Sequence, residues 1–128
     1  MYPGDLNYSK DHEWLKIEGD TAVMGITDFA QKQLGDVVYV ELPPVGAELG
    51  SHQTIGVIES VKAVSDVYSP ISGKVLEVNA GLNDGPETLN QDPYGRGWIL
   101  KLAIKDKSEL DQLLSALDYE KFVEGLGA

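Results

Sequence analysis

The chain has 128 residues, 42% of them hydrophobic and 24% charged, the proportions of an ordinary globular protein that buries roughly two thirds of its unfolded surface. Its 21 acidic and 10 basic side chains leave a formal net charge of -11, which repels phosphate backbones and anionic membrane surfaces, so neither nucleic acid nor a membrane is expected as a partner. With no cysteine, the polypeptide has no disulfide, thiolate nucleophile, thiolate metal site or iron–sulfur cluster, and any sulfur chemistry must come from an attached group.

The N-terminal Met1-Tyr2-Pro3-Gly4-Asp5 has neither the basic-then-apolar pattern of a secretory signal nor the arginine-rich character of a transit peptide, which suggests a bacterial cytosolic protein. No apolar run approaches the ~20 residues that span a bilayer. Short β-branched segments separated by turn residues then predict strands over 13–18, 21–26, 37–42, 54–60, 64–68, 73–78 and 98–104. Gly19-Asp20 reads as a hairpin turn, while Pro43-Pro44 and Ser69-Pro70 interrupt the ladder because proline has no amide hydrogen. Thr27 is placed to cap a short helix over 28–34, ended by Gly35. Residues 81–90 read as a surface loop, without the spacing of a calcium loop or the glycines of a phosphate cradle.

Toward the C-terminus, Ser108 with Asp111 resembles a capping box, and Leu110, Leu113, Leu114 and Leu117 recur at helical spacing, which predicts one buried leucine face. Asp118 is expected to cap a final turn holding Phe122 and Val123, with fraying from Gly125 to Ala128. The segments 35–41 and 73–79 share a glycine and two valines in the same places, consistent either with chance or with a sheet of two quasi-equivalent halves. Trp14, Trp98, Tyr39 and Tyr94 are expected in the core or at its rim. The fold expected is a mainly β sandwich of two small sheets with a short internal helix and a C-terminal helix. The whole chain, 1–128, is expected to form one domain with its core at about 8–104 and its helical tail at about 106–125.

His12 and His52 show no organised spacing to carboxylates, so no metal site is expected. No Ser/His/Asp order or phosphate-binding loop appears either, which argues against an enzyme. The informative string runs from Gly56 through Glu59-Ser60-Val61-Lys62-Ala63 to Ser69-Pro70 and Gly73. An acylating enzyme must reach a lysine amine, which favours a lysine at an exposed tight turn between two strands. Residues 54–58 and 64–67 can supply those strands, with Lys62 at the tip.

This string resembles the modification hairpin of lipoyl and biotinyl carrier domains, and it lacks the methionines that usually flank a biotinylated lysine, since the only methionines are Met1 and Met24. The similarity extends from about Tyr8 to Tyr119 and is with the H-protein family of the glycine cleavage system. It is carried by His12-Glu13-Trp14, Gly25-Ile26-Thr27, Ala30-Gln31, residues 34–43, the Lys62 segment and Asn90-Gln91-Asp92-Pro93-Tyr94 with Gly95, Gly97 and Trp98. The resemblance implies a lipoyl/biotinyl-type barrel-sandwich hybrid that carries lipoate on Lys62. It implies a cycle in which the arm takes the aminomethyl group of glycine from a pyridoxal-phosphate decarboxylase and passes it to a folate-dependent aminomethyltransferase. A dihydrolipoyl dehydrogenase then reoxidises the arm, and lipoate-attaching enzymes install it.

The resemblance also implies a cleft for the loaded arm lined by Glu13, Asp66 and Ser69. Two bland alternatives stand beside it, with Glu13 a solvated strand residue and Asp66 a turn-stabilising side chain. Asp11 and Gln33 depart from residues common in the family and bear only on the cleft. Other readings of the whole chain are an isolated lipoyl domain of a 2-oxo acid dehydrogenase and an H-like relay that passes lipoate to another pathway.

Overall fold

The computed structural model describes residues 2–126. Among these residues, nine strands form two antiparallel sheets. The larger sheet runs β1 (Asn7–Tyr8), β2 (Glu13–Glu18), β3 (Thr21–Ile26), β9 (Leu100–Ile104), β8 (Gly73–Val78) and β5 (Glu48–Leu49), in that spatial order. The smaller sheet is β4 (Val37–Glu41), β6 (Thr54–Ser60) and β7 (Val64–Tyr68). Alternation drives the packing: Ala22, Met24 and Ile26 of β3 and Leu100 and Leu102 of β9 point inward, where they meet Val40, Ile58 and Val67 of the smaller sheet in one cluster.

Strands β2, β3, β6, β7 and β8 have the predicted limits, whereas β4 ends one residue early at Glu41 and β9 begins at Leu100, two residues after the predicted start. The two-residue strands β1 and β5 carry too short a pattern to be read locally. The segments 37–41 and 73–78 are indeed both strands, but they lie in sheets of different size. Gly35 sits before β4 with φ 80°, while Gly73 lies within β8, where a Cβ would meet the Ala103 carbonyl. The shared glycine therefore serves different purposes in the two places.

Helix α1 (Asp28–Leu34) is capped as predicted, Thr27 Oγ1 accepting from the Ala30 N–H at 3.2 Å and the Gly35 N–H closing on the Gln31 carbonyl. Three expectations are overturned, the last at the cap of the C-terminal helix. Residues 81–90 are not a plain surface loop: they form α2 (Gly81–Asp84) and the start of α3 (Thr88–Gln91), because Leu82 and Leu89 are buried in the main core and pull the backbone into short turns. The leucine-faced helix is likewise absent. Lys107–Gln112 is a 3-10 turn capped by Asp106, Leu110 and Leu113 are only half-buried, and Leu117 is 60% exposed.

The true C-terminal helix, α4 (Ala116–Gly125), is capped not by Asp118, which lies in its first turn, but by Ser115, whose Oγ accepts from the Asp118 N–H at 3.1 Å. Its buried residues are Tyr119 and Val123, which join Leu6, Tyr8 and Trp14 in a second core. A β-bridge between Tyr8 and Leu114 ends the leucine run in extended backbone, which breaks the helical period after Leu113. The expected fraying falls partly on residues 127–128, outside the described residues. No helix among the described residues is long and apolar enough to cross a membrane.

Candidate functional site

Strands β6 and β7 pair from Thr54 opposite Tyr68 to Glu59 opposite Val64, and β6 runs on to Ser60, so three residues, Val61-Lys62-Ala63, make the tip. Ser60 organises it: its hydroxyl accepts from the Lys62 and Ala63 N–H groups at 3.3 and 3.0 Å, and its own N–H donates to the Ala63 carbonyl at 2.8 Å. Lys62 is exposed, with Val61 and Val64 on either side 69% and 67% exposed. Among the described residues no carboxylate pairs with Lys62. An exposed, unpaired lysine flanked by apolar side chains is open to an enzyme that must grip the tip.

The tip is also held from outside. The Val61 N–H donates to the Asp36 carbonyl at 3.0 Å, and the Lys62 stem passes over Gly35, where an added Cβ would lie 3.2 Å from Cε. Asn90 of α3 braces that turn, donating to the Gly35 carbonyl (2.8 Å) and to Gln31 Oε1 (3.0 Å) and accepting from the Val37 N–H (2.9 Å). The string containing Asn90 is legible as a motif, but its purpose is visible only in three dimensions.

Beside the hairpin lies a cavity of about 420 Å³. It is walled by residues 63–67 of the hairpin, by Phe29, Ala30, Gln33 and Leu34 of α1, and by Asp11, His12 and Glu13 at the start of β2. Glu13 is 2% exposed; its carboxylate accepts from Ser9 Oγ at 2.6 Å and from the Tyr68 N–H at 3.3 Å, and no ion pair reaches it among the described residues. Burial pushes its pKa up to about 8 against those two hydrogen bonds, which pull it down, while the nearby Asp11 charge adds to the rise. The solvated-strand alternative for Glu13 is therefore excluded by its burial.

Asp66 is exposed, lies within β7 opposite Val57, and lines the same cavity, so it is a strand residue and not a turn residue. Ser69 is elsewhere. It is fully buried beyond the end of β7, its hydroxyl donating to the Ile71 carbonyl at 2.6 Å, and it is not among the cavity-lining residues. Asp11 and Gln33, the two departures from the family pattern, both line the cavity. Sequence reasoning missed Ser9, which orients Glu13, and His12 as a cavity wall.

The aromatic residues divide. Trp14 is buried over Gly25, whose Cβ would lie 2.6 Å from the indole, and its Nε1–H donates to the Pro93 carbonyl at 3.0 Å. Trp98 and Tyr94 sit at the rim, Tyr94 accepting from the Asp28 N–H, whereas Tyr39 is 48% exposed and outside the core.

Two antiparallel sheets that present a lysine at the apex of a hairpin, beside a cavity of a size to hold a tethered chain, define a carrier domain of the lipoyl type. The family described as Glycine cleavage H-protein matches residues 6–125. A glycine cleavage system H protein from Carboxydothermus hydrogenoformans is 54% identical over 127 residues, covering 99% of this chain and 98% of that one. One from Symbiobacterium thermophilum is 59% identical over 122 residues, covering 95% of each chain. The crystal structure of a glycine cleavage system H protein from Mycobacterium marinum superposes with a TM-score of 0.83 at 38% identity, over 99% of this chain and 100% of that one. The chain belongs to the glycine cleavage H-protein family, and its role is that of the lipoyl carrier in glycine cleavage.

Proposed function

We propose that Lys62 is the lysine that bears the lipoyl group and that the cavity beside it receives the loaded arm. The observation that carries this reading is the pairing of an exposed hairpin-tip lysine with a buried carboxylate that has no cation of its own among the described residues. Lipoate held on Lys62 would supply a dithiolane able to accept the aminomethyl group of glycine and to be reoxidised afterwards. The chain's own residues bind and shield. Glu13 offers its carboxylate to a cationic amine, Ser9 and the Tyr68 N–H hold that carboxylate in place, and Ile26, Phe29, Leu34 and Ile58 give the cavity an apolar lining that limits water. Asp66 adds a second carboxylate at the exposed side, and Ser69 braces the turn behind β7 without facing the cargo.

In this proposal 1–128 acts as one carrier domain in the bacterial cytoplasm, catalysing no step itself and raising the local concentration of the cargo at each partner. The partners are the glycine decarboxylase, the aminomethyltransferase, the dihydrolipoyl dehydrogenase and the lipoate-attaching enzymes. Intact mass of protein made in a lipoylating host is expected to show one lipoyl adduct, absent from Lys62→Ala. An adduct that persists in that variant moves the attachment to another lysine.

A further inference from the structure

We infer that Tyr119 is a positioning residue of the arm cavity, its hydroxyl tying the loop that carries Glu13 to the helix that forms another of the cavity's walls. The phenol oxygen lies 2.8 Å from His12 Nδ1 and 2.7 Å from Thr27 Oγ1, and the side chain is fully buried. His12 immediately precedes Glu13 and itself lines the cavity. Thr27 caps α1, whose Phe29, Ala30, Gln33 and Leu34 line it too. The backbone repeats the tie, the Thr27 N–H donating to the His12 carbonyl at 3.0 Å. One hydroxyl on the C-terminal helix thus joins two walls from which it is itself 107 and 92 residues distant in sequence.

Thr27 Oγ1 accepts from the Ala30 N–H and still has a lone pair and its own proton for the Tyr119 oxygen, so either hydroxyl can donate in that bond, and the tautomer of the imidazole sets whether Tyr119 donates to or accepts from His12 Nδ1. Burial lowers the His12 pKa against the opposing pull of Asp11, which favours the neutral ring. His12 depends on being held. Its φ of 69° is left-handed, a conformation that a residue with a side chain keeps only where its surroundings over-determine it. Phe29 and Phe122, with ring centroids 4.7 and 5.9 Å away, flank the ring, and Tyr119 fixes its direction. A turn of His12 would swing the peptide whose N–H, that of Glu13, donates to Ser9 Oγ, and with it the Ser9 hydroxyl that holds the carboxylate.

Tyr8 provides the control. Its ring stacks on Tyr119 at 4.8 Å and 11°, yet its hydroxyl donates to the Pro3 carbonyl, and neither residue lines the cavity. Tyr119→Phe and Tyr8→Phe each delete one buried hydroxyl from the same stack, and only the first cuts the tie.

The inference rests on reading the cavity as the dock of the arm, but its first test needs no arm. In the unlipoylated chain, the Glu13 carboxyl carbon and the His12 ring nitrogens are followed by NMR against pH. The other titratable groups that line the cavity with Glu13 are Asp11 and His12 before it and Asp66 on β7, with Tyr119 of α4 behind the wall and near enough for its charge to be felt, while α1 contributes only neutral residues to the lining. With the tie cut, water enters, the Glu13 midpoint falls by about one pH unit toward the ordinary carboxylate range, and the His12 tautomer balance changes. Tyr8→Phe leaves both as in the wild type. An unmoved Glu13 midpoint in Tyr119→Phe, or an equal fall in both variants, overturns the assignment. If Tyr119→Phe does not fold, His12→Asn cuts the same tie from the other side with a residue that tolerates a left-handed backbone, and it must lower the midpoint likewise. In the lipoylated protein, Tyr119→Phe is expected to shorten the lifetime of the bound amine cargo about tenfold, the equivalent of one pH unit. A lowered midpoint with an unchanged cargo lifetime keeps Tyr119 as the positioning residue and removes the dock reading.

Discussion

The hairpin tip and the cavity wall are built in opposite ways. The tip is local: Ser60 closes it through residues two and three positions away, and Lys62 stays exposed and outside every ion pair described. The wall is long-range, with Glu13 bonded to Tyr68, His12 to Tyr119 and Thr27 to Tyr119, across 55, 107 and 92 residues of sequence. Under the proposed roles, the contrast follows from what each must do. A group that foreign enzymes modify has to be reachable and can do without contacts, whereas a carboxylate that waits for a cation must be desolvated, and only tertiary packing excludes water.

Substitutions at the two regions test the contrast directly, and the largest effect expected is all or none. Lys62→Ala removes the lipoyl mass shift and every transfer activity, while stability measured by denaturant changes by less than ~0.5 kcal/mol. A clear loss of stability would mean that the tip is part of the packing after all. Next is the wall: Tyr119→Ala empties a fully buried aromatic site and is expected to cost ~3–5 kcal/mol in chemical denaturation, with the mass shift of any folded protein retained.

The Glu13 carboxyl sharpens the comparison through pH. Its folded pKa is raised from 4.5 to about 8, so the fold favours the neutral acid. The stability this contributes is complete below the unfolded value and is lost as pH rises through the folded one, each tenfold difference in proton affinity between the two states being worth ~1.4 kcal/mol. Stability curves of the unlipoylated protein should therefore show Glu13→Gln gaining on the wild type between pH 4.5 and 8 and levelling off above. Parallel curves would mean that water reaches the carboxylate freely.

Gly35 lies where the two regions meet. Gly35→Ala places a side chain at φ 80° and 3.2 Å from Lys62 Cε, so a loss of ~1 kcal/mol or somewhat more and slower lipoylation are expected together. A stability loss with the wild-type rate of modification would separate backbone strain from crowding of the lysine. The smallest effect falls on Leu117. At 60% exposure, Leu117→Ala is expected to stay within ~0.5 kcal/mol, and a cost of several kcal/mol would restore the leucine-faced helix that the structure lacks.

Periodicity and turn chemistry by themselves determined five strands to the residue, the α1 cap and the hairpin with Lys62 at its tip, because those features arise from contacts between near neighbours. They misled at 108–117, where four leucines at helical spacing compete with the pairing of Leu114 to Tyr8, a contact 106 residues away that extends the backbone and hands the helix to Ser115. The same holds for residues 81–90, where burial of Leu82 and Leu89 against distant strands outweighs their loop-forming composition. At the site, the identity of Glu13 was legible as part of a motif, but its burial, its raised pKa and its company of Ser9, His12 and Asp66 were not. Ser69, expected beside them, was turned into the core. Only the tertiary structure decided these, since desolvation depends on what the rest of the chain brings around a group, and a string of residues does not encode its own neighbours in space.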